Sequence, residues 1–285
     1  MNKIKQIPFQ RLNFKINFMK NIIISIFIIL IYSCSSPKID SNLVWSDEFE
    51  YEGLPDPEKW VYDVGDHGWG NNELQFYTER KLENARVEKG FLIIEARKDS
   101  IFEKGYSSAR LLTGGKASWQ YGYIEVKAKL PKGIGTWPAI WMLPEEKKYG
   151  GWPKSGEIDI MEHVGYDQGV VHGTVHTEAF NHTKGTQKGE RIQVPTCSEE
   201  FHVYAIDWQE NKIDFYMDGA HYHSFENTGG GWEEWPFDHP FHLILNIAVG
   251  GNWGGAKGVD SEIWPQRMEI DYIRLYTSAP GKYSQ

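Results

Sequence analysis

Alternation of apolar and polar residues at every second position is the pattern that most constrains the fold of this chain. Residues 123–130 read Tyr-Ile-Glu-Val-Lys-Ala-Lys-Leu, which is the pattern of a half-buried β-strand. The dipeptide Asp218-Gly219 separates two further strand-like runs, and it favours a two-residue hairpin turn because Gly tolerates a positive φ. The other predicted strands are residues 91–97, 139–143, 202–208, 212–217, 220–225, 241–249 and 268–277.

Convincing long helices and internal repeats are missing from the sequence. Many short strands joined by Gly- and Pro-rich connections are typical of a sandwich of two sheets. We therefore predict an all-β fold of two antiparallel sheets, with one concave sheet able to hold an extended polymer. The length of residues 43–279 suits a single domain of this kind.

An apolar run occupies residues 22–32, preceded by Lys15 and Lys20 and followed by Cys34. It is too short to span a bilayer as a helix, and it has the arrangement of a signal peptide. The run resembles a bacterial lipoprotein signal, in which Cys34 becomes the lipid-bearing first residue. Cleavage by ordinary signal peptidase, which gives a soluble secreted protein, is the alternative.

The amino-terminal region is thus divided into two predicted parts ahead of the domain. Residues 1–33 are an N-terminal extension with a signal peptide, and residues 34–42 are a short polar tether. Translation from Met19 would make the signal more compact, so Met1 and Met19 are both candidate starts. The expected location is the cell envelope, as an outer-membrane or surface lipoprotein, or the medium. Cys197 is then the only cysteine in the domain, which leaves no internal disulfide.

The segment Gly-Glu-Ile-Asp-Ile-Met-Glu-His near the middle of the chain holds three carboxylates in an otherwise apolar, strand-like run. On a helix, Glu157 and Glu162 would point apart. On a regular strand Glu157 and Asp159 share a face, and Glu162 joins them only if one extra residue at Ile160-Met161 forms a β-bulge. We predict that bulge, because such irregularities re-aim side chains beside active sites.

Two aimed carboxylates suit the cleavage of a glycosidic bond, in which one acid protonates the leaving oxygen and the other attacks the anomeric carbon or activates water. A separation of about 5 to 5.5 Å makes the second carboxylate a nucleophile and the reaction retaining. Like charges this close raise the pKa of at least one acid. A cation site is one alternative, although the spaced acids and central Gly of an EF-hand loop are absent. A solvated strand face is another, although no Lys or Arg lies between Glu157 and Glu162.

The acidic run is one of several motifs that follow one another between residues 44 and 276. The others are the stretches 69–77, 108–110, 137–144, 172–177, 250–255 and 268–273. Together they resemble glycoside hydrolase family 16, in particular its laminarinase-like endo-β-1,3-glucanases. The extra Met in the six-residue pattern is typical of the bulge-bearing members (laminarinases, agarases, carrageenases), whereas lichenases and xyloglucan transglycosylases lack it. The resemblance implies a concanavalin A-like β-jelly roll whose concave sheet forms the substrate cleft.

The resemblance also implies a role for each acid: Glu157 is the nucleophile, Glu162 the acid/base, and Asp159 the carboxylate that tunes the nucleophile. His176 matches the family's active-site histidine. The residues alone support part of this, because positions 172, 174 and 176 of the next predicted strand share one face, next to the carboxylate row. A lone histidine is often structural, so spacing by itself leaves both interpretations open.

The composition favours a sugar polymer as the partner. The chain has 12 Trp, 15 Tyr and 14 Phe, and pyranose rings pack on flat aromatic faces. Most of these rings are expected in the core. The resemblance implies substrate contacts from Asn72, Arg110, Trp137, Trp141 and Trp253. We expect a β-glucan polysaccharide partner, a monomer, and membrane contact only through the lipid anchor; the net charge of -9 disfavours nucleic acid.

No cofactor is expected for catalysis. In family 16 a structural calcium ion is often held on the convex side of the sandwich, and Glu50, Gly90 and Asp271 are the positions that match. The alternative is that Asp271, in the last predicted strand, makes an ordinary hydrogen bond.

The sequence therefore predicts a retaining, endo-acting hydrolase of β-1,3-glucan (laminarin), with mixed-linkage β-1,3-1,4-glucan as a further substrate. One alternative is another bulge-type activity, agarase- or carrageenase-like. Sulfated galactans would require cationic residues in the cleft, and only Arg110 is evident there. The second alternative is a non-catalytic glucan-binding protein on the same sandwich. The intact pair of glutamates argues against it.

Overall fold

The computed structural model describes residues 42–281. The predictions for the signal peptide, for lipid attachment at Cys34 and for the tether up to residue 41 lie outside this range. Within it the chain forms seventeen strands and no helix. They are β1 (Leu43–Asp47), β2 (Val61–Tyr62), β3 (Gln75–Tyr77), β4 (Ala85–Glu88), β5 (Phe91–Lys98), β6 (Tyr106–Ser108), β7 (Arg110–Leu112), β8 (Gly122–Lys129), β9 (Thr136–Pro144), β10 (Glu157–His163), β11 (Val170–His176), β12 (Lys188–Gln193), β13 (His202–Trp208), β14 (Lys212–Met217), β15 (Ala220–Glu226), β16 (Phe241–Val249) and β17 (Gln266–Tyr276).

The strands form two sheets. The first has the order β15-β14-β13-β8-β17-β5-β6-β3, with β1 paired to β17 and β4 paired to β5. The second, which we call the site sheet, has the order β12-β11-β10-β9-β16-β7-β2. Every pair is antiparallel except β3 and β6, which run parallel. The predicted all-β fold of two antiparallel sheets is confirmed, with this single parallel pair as the exception among the described strands.

The hydrophobic core lies between the two sheets. Ile124 and Val126 of β8 enter it from the first sheet, and Ile140 and Met142 of β9 enter it from the site sheet, all at most 1% exposed. Full burial of such a side chain contributes about 1.5–3 kcal/mol. Because side chains alternate along a strand, the intervening residues of the site sheet face away from the core.

The clearest sequence patterns match strands of the structure. The alternating run at 123–130 overlaps β8, although β8 is not half-buried as expected, because Tyr123 and Glu125 on its second face are also completely buried. The Asp218-Gly219 pair joins β14 to β15. Both turn residues have positive φ, 49° and 79°, as the favoured two-residue hairpin turn requires. No helix within residues 42–281 is long and apolar enough to cross a membrane.

Candidate active site

The strand β10 contains one residue more than its neighbours between Asp159 and Glu162. On β9, Trp141 pairs with Asp159 and Ala139 pairs with Glu162, so three steps along β10 match two along β9. The pairing with β11 shows the same shift between Asp159 and Glu162. One extra residue opposite a regular strand is a β-bulge.

The bulge determines which way Glu162 points. Five steps separate Glu157 from Glu162, and on a regular strand an odd number would place them on opposite faces. In the structure Ile160 and Met161 both turn into the core, at 1% and 0% exposure, and Glu162 turns to the same face as Glu157. The predicted bulge at Ile160-Met161 is confirmed, and it brings the acids onto one face of the site sheet.

A glycine lets the chain enter β10 at this position. Gly156 has φ +87°, and a Cβ there would lie 3.0 Å from the Phe237 ring and 3.1 Å from the Phe241 ring. Both rings are completely buried. A larger residue before Glu157 would therefore displace the strand that carries the acids.

Glu157 lies in a ring of polar contacts. Trp152 Nε1 donates a hydrogen bond to Glu157 Oε2 at 2.8 Å, and His176 Nε2 lies 3.8 Å from Glu157 Oε1. The same His176 atom lies 3.3 Å from Asp159 Oδ2, because His176 pairs with Glu157 across β10 and β11. One ligand-type atom from each of Glu157, Asp159 and His176 lies within 4.8 Å of the others. That spacing also allows a metal ion, but the raised carboxyl pKa values described below suit proton transfer.

Glu162 has a different partner. Trp137 Nε1 donates a hydrogen bond to Glu162 Oε1 at 2.9 Å. Opposite it on β11 lies His172, whose ring meets the Trp253 ring edge-on at 5.0 Å. The two glutamates thus have separate indole donors, from Trp152 and Trp137.

Burial raises the pKa of all three acids. The pKa of Glu157 is well above its usual value, first because of desolvation and then because of the neighbouring Asp159 charge, while His176 lowers it. The pKa of Asp159 is also well above its usual value, through desolvation and the Glu162 charge. Desolvation raises the pKa of Glu162, and the Trp137 hydrogen bond opposes that rise. Each of the three acids therefore holds its proton more tightly than an isolated carboxyl group does.

The aromatic residues predicted to contact substrate lie beside these acids. The Trp137 and Trp253 rings meet edge-on at 5.5 Å. The Trp141 ring is held by a hydrogen bond from its Nε1 to Asn246 Oδ1 at 2.8 Å. Trp137 and Trp141 alternate with core residues along β9, so both line the acid-bearing face.

Arg110 and Asn72 complete the predicted set on neighbouring elements. The Arg110 guanidinium lies 4.6 Å from the Trp69 ring and 4.7 Å from the Trp141 ring, and its Nε is 3.0 Å from Asp63 Oδ2. It is thus already paired and stacked on both sides. Asn72 is exposed, and its Nδ2 donates to Asn252 Oδ1 at 2.8 Å, which ties two loops together.

Several residues of the site were not singled out from sequence. Trp152 contacts Glu157 only because the loop between β9 and β10 folds back over the sheet, and no local pattern encodes that path. Asn246 had a usable signal, since it is the one polar amide within the apolar strand 241–249. His182 also lies here, 5.0 Å from the Trp152 ring and 5.2 Å from the His176 ring.

The positions predicted for calcium show a different arrangement. Asp271 Oδ2 lies 2.8 Å from Lys127 Nζ, so its carboxylate already has a cationic partner. Glu50 follows β1 as an exposed residue, and Gly90 lies in the turn between β4 and β5 with φ +80°. The Asp271 side chain therefore does not fit a calcium ligand in this conformation, and the calcium site stays a prediction.

Paired glutamates on one face of a sheet, with an imidazole and indole rings beside them, are the groups that cleavage of a glycosidic bond requires. The profile of the family described as glycosyl hydrolases family 16 matches residues 69–274. The chain belongs to this family.

Curated relatives and solved structures agree with this assignment. The chain is 59% identical over 242 residues to a "Beta-glucanase" of Rhodothermus marinus, covering 82% of this chain and 85% of that protein. It is 39% identical over 251 residues to a "Glucan endo-1,3-beta-glucosidase" of Cryptopygus antarcticus, covering 82% and 92%. The crystal structure of the laminarinase from Rhodothermus marinus superposes with a TM-score of 0.81 at 59% identity, covering 82% of this chain and 96% of that one.

Proposed function

We propose that this protein is a retaining, endo-acting hydrolase of β-1,3-glucan. The observation that carries the proposal is the bulge in β10, which places Glu157 and Glu162 on one face of the site sheet with separate hydrogen-bond donors. The names of the relatives, a β-glucanase and an endo-1,3-β-glucosidase, support β-1,3-glucan as the substrate.

In this mechanism Glu162 is the general acid and Glu157 the nucleophile. Glu162 protonates the glycosidic oxygen while Glu157 attacks the anomeric carbon, and Glu162 then takes a proton from the water that releases the glycosyl-enzyme. A raised pKa suits Glu162, because it must hold its proton near neutral pH. Retention requires the two carboxyl groups to be about 5–5.5 Å apart in the reacting complex.

Two neighbours of Glu157 favour its ionised form and so oppose the rise in its pKa that burial and the Asp159 charge cause. The Trp152 hydrogen bond and the nearby His176 both lower its pKa, which opposes the effect of desolvation. Asp159 is 2% exposed, so it is the acid in which a proton is held at least cost. A protonated Asp159 donates toward Glu157 and orients it for attack.

The rings around the acids provide the substrate surface. Trp137, Trp141 and Trp253 present apolar faces to the sugar rings of the glucan. Asn72 and Arg110 form hydrogen bonds with the hydroxyl groups of the glucan. Because Arg110 is paired with Asp63, the cleft motifs offer little free positive charge to a sulfate group, which favours a neutral glucan over carrageenan.

The proposal is tested by comparing laminarin, mixed-linkage glucan, agarose and carrageenan as substrates. We expect oligosaccharides from laminarin, a lower rate on mixed-linkage glucan, and no release from the two galactans. Glu157→Gln should lower hydrolysis by orders of magnitude while leaving laminarin binding intact. The matched control is Glu269→Gln, a buried glutamate of the other sheet, at 7% exposure. Cleavage of agarose alone, or full activity of Glu157→Gln, would contradict the proposal.

We further propose that the protein is attached to the cell envelope through lipid on Cys34. The support is the apolar run 22–32 followed by this cysteine. Expression in a bacterial host fed a labelled fatty acid should label the wild-type protein and not Cys34→Ser. Equal labelling of both, or a mature protein that begins elsewhere and stays in the medium, would reject the anchor.

A further inference from the structure

Glu73 is a buried carboxylate beside the cleft that takes no part in the mechanism above. It is 6% exposed and forms an isolated bridge with Gly250. Its Oε2 accepts hydrogen bonds from Gln75 Nε2 at 2.6 Å and from Tyr77 OH at 3.3 Å. Its Oε1 accepts one from Asn71 Nδ2 at 3.4 Å. Burial of a carboxylate is costly, and these donors offset the cost.

A chain of hydrogen bonds connects Glu73 to Trp141. Tyr77 OH donates to Glu73 and accepts from Asn246 Nδ2 at 3.0 Å, and Asn246 Oδ1 accepts from Trp141 Nε1 at 2.8 Å. Burial raises the pKa of Tyr77 well above its usual value, so its hydroxyl keeps the proton that it donates. Since each acceptor orients the next donor, the Trp141 ring depends on Glu73 for its position.

Packing connects Glu73 to Trp137. Gly251, with φ +79°, is a neighbour of both: a Cβ at this position would be 3.3 Å from Glu73 Cγ and 3.3 Å from Trp137 Cζ3. Trp137 Nε1 in turn donates to Glu162 Oε1 at 2.9 Å. Glu73 and the indole that donates to the general acid therefore both pack against Gly251.

We propose that Glu73 is a positioning residue of the active site: it fixes the indoles of Trp137 and Trp141, and through Trp137 it fixes Glu162. This inference rests on the proposed function, because it assumes that Glu162 is the acid. Glu73 does not touch the substrate. It acts through side chains that do.

The charge of Glu73 adds a second effect on the same acid. It raises the pKa of Glu162, whereas His176 and the Trp137 hydrogen bond lower that pKa. Other charged or titratable groups also face Glu162 or Glu73. Near Glu162 these are Glu157, Asp159 and His172. Near Glu73 they are Tyr77, Arg110 and Lys104, and Lys104 donates to the backbone oxygen of Glu73. Removing the charge of Glu73 therefore lowers the pKa of Glu162, and the basic limb of the pH profile moves to lower pH.

The test is Glu73→Gln, which keeps the shape of the side chain and removes its charge. We expect kcat on laminarin to fall about ten- to a hundredfold, since small displacements of catalytic groups cost about this much. The basic limb of kcat/KM should also move to lower pH. The matched control is Glu95→Gln, a glutamate of similar burial (8% exposed) in β5 of the other sheet, which should leave that limb in place.

A second variant cuts only the connection to Trp141. Tyr77→Phe keeps the ring and removes the hydroxyl between Glu73 and Asn246. We expect KM to rise about two- to tenfold, the value of one hydrogen bond, while the basic limb moves less than in Glu73→Gln because the Glu73 carboxyl group is retained. If Glu73→Gln does not fold, as judged by its melting temperature, this variant decides the question.

A folded Glu73→Gln with wild-type kcat and an unmoved basic limb would overturn the inference, and so would an unchanged KM in Tyr77→Phe. Failure of the proposed function looks different, because the wild-type protein would then leave laminarin intact. In that case the same variants are compared on whichever polysaccharide the wild type cleaves.

Discussion

At the residue scale, the site concentrates three carboxyl groups where ionisation is costly. Asp159 is the most buried of them, at 2% exposure. Its folded-state pKa lies well above the usual value of 3.8 through desolvation and the charge of Glu162. A raised pKa means that the folded protein binds this proton more tightly than the unfolded chain, so Asp159 favours folding at low pH and opposes it once ionised.

Asp159→Asn should therefore stabilise the protein increasingly as pH rises above about 4. Below the unfolded pKa the variant and the wild type should melt together; as pH rises through the folded pKa the wild type loses stability and the variant does not. Melting temperatures between about pH 4 and pH 8 check this.

The control for this prediction is an aspartate whose pKa is shifted in the opposite direction. Asp99 pairs with Lys81, and its pKa is lowered, because that ion pair and its hydrogen bonds outweigh desolvation. Asp99→Asn should thus be less stable than the wild type above pH 3.8, and the difference should shrink as pH falls. A pH-independent effect of Asp159→Asn would contradict the account of the acid group.

At the level of single strands, the important feature of β10 is the odd number of steps between its two glutamates. The odd spacing between Glu157 and Glu162 was enough to predict the bulge, because two residues on one face of a regular strand must be an even number of steps apart. The alternation in β8 and the Asp218-Gly219 turn were likewise readable, since both patterns are local. The parallel pairing of β3 with β6 and the Trp152 contact to Glu157 were not, because they depend on how distant segments and long loops pack.

The residues of the candidate site also fall into two groups, those that local sequence patterns predict and those that depend on tertiary packing. The acids of β10 and His176 of β11 could be placed from strand periodicity, because adjacent strands put them on one face. Glu73 could not be recognised, since its importance comes from Tyr77 and Asn246, which lie far apart in the sequence. Its burial is a property of the tertiary fold.

Deletion of Met161 tests the parity argument. The deletion removes the extra residue, so a regular strand would again place Glu157, Asp159 and Glu162 on one face. We expect a less stable protein, by about 2–5 kcal/mol for the loss of a buried methionine, that still hydrolyses laminarin faster than Glu162→Gln. The melting temperature and the initial rate of both variants provide the measurement. A folded deletion variant as inactive as Glu162→Gln would show that the bulge does more than correct the spacing.

At the scale of the whole molecule, charge separates the candidate substrates. The chain carries a net charge of -9, and Arg110 is neutralised by Asp63. This negative charge leaves the binding free energy of a neutral glucan unchanged, whereas it repels a sulfated galactan.

The KM for laminarin should therefore be insensitive to salt. We expect less than about a twofold change in KM between roughly 20 mM and 500 mM NaCl, a range over which screening of surface charges changes strongly. Steady-state rates at several salt concentrations measure it. A KM that rises steeply with salt would indicate that charge pairing, and not aromatic stacking, binds the polymer.

The roles of Glu157 and Glu162 are tested by the anomeric configuration of the first product of laminarin cleavage, followed by proton NMR. If Glu157 attacks as the nucleophile and Glu162 serves as acid and then base, the new reducing end appears first as the β-anomer and only later mutarotates. A reducing end that appears first as the α-anomer would contradict this, because inversion requires a water molecule between two more widely separated carboxylates.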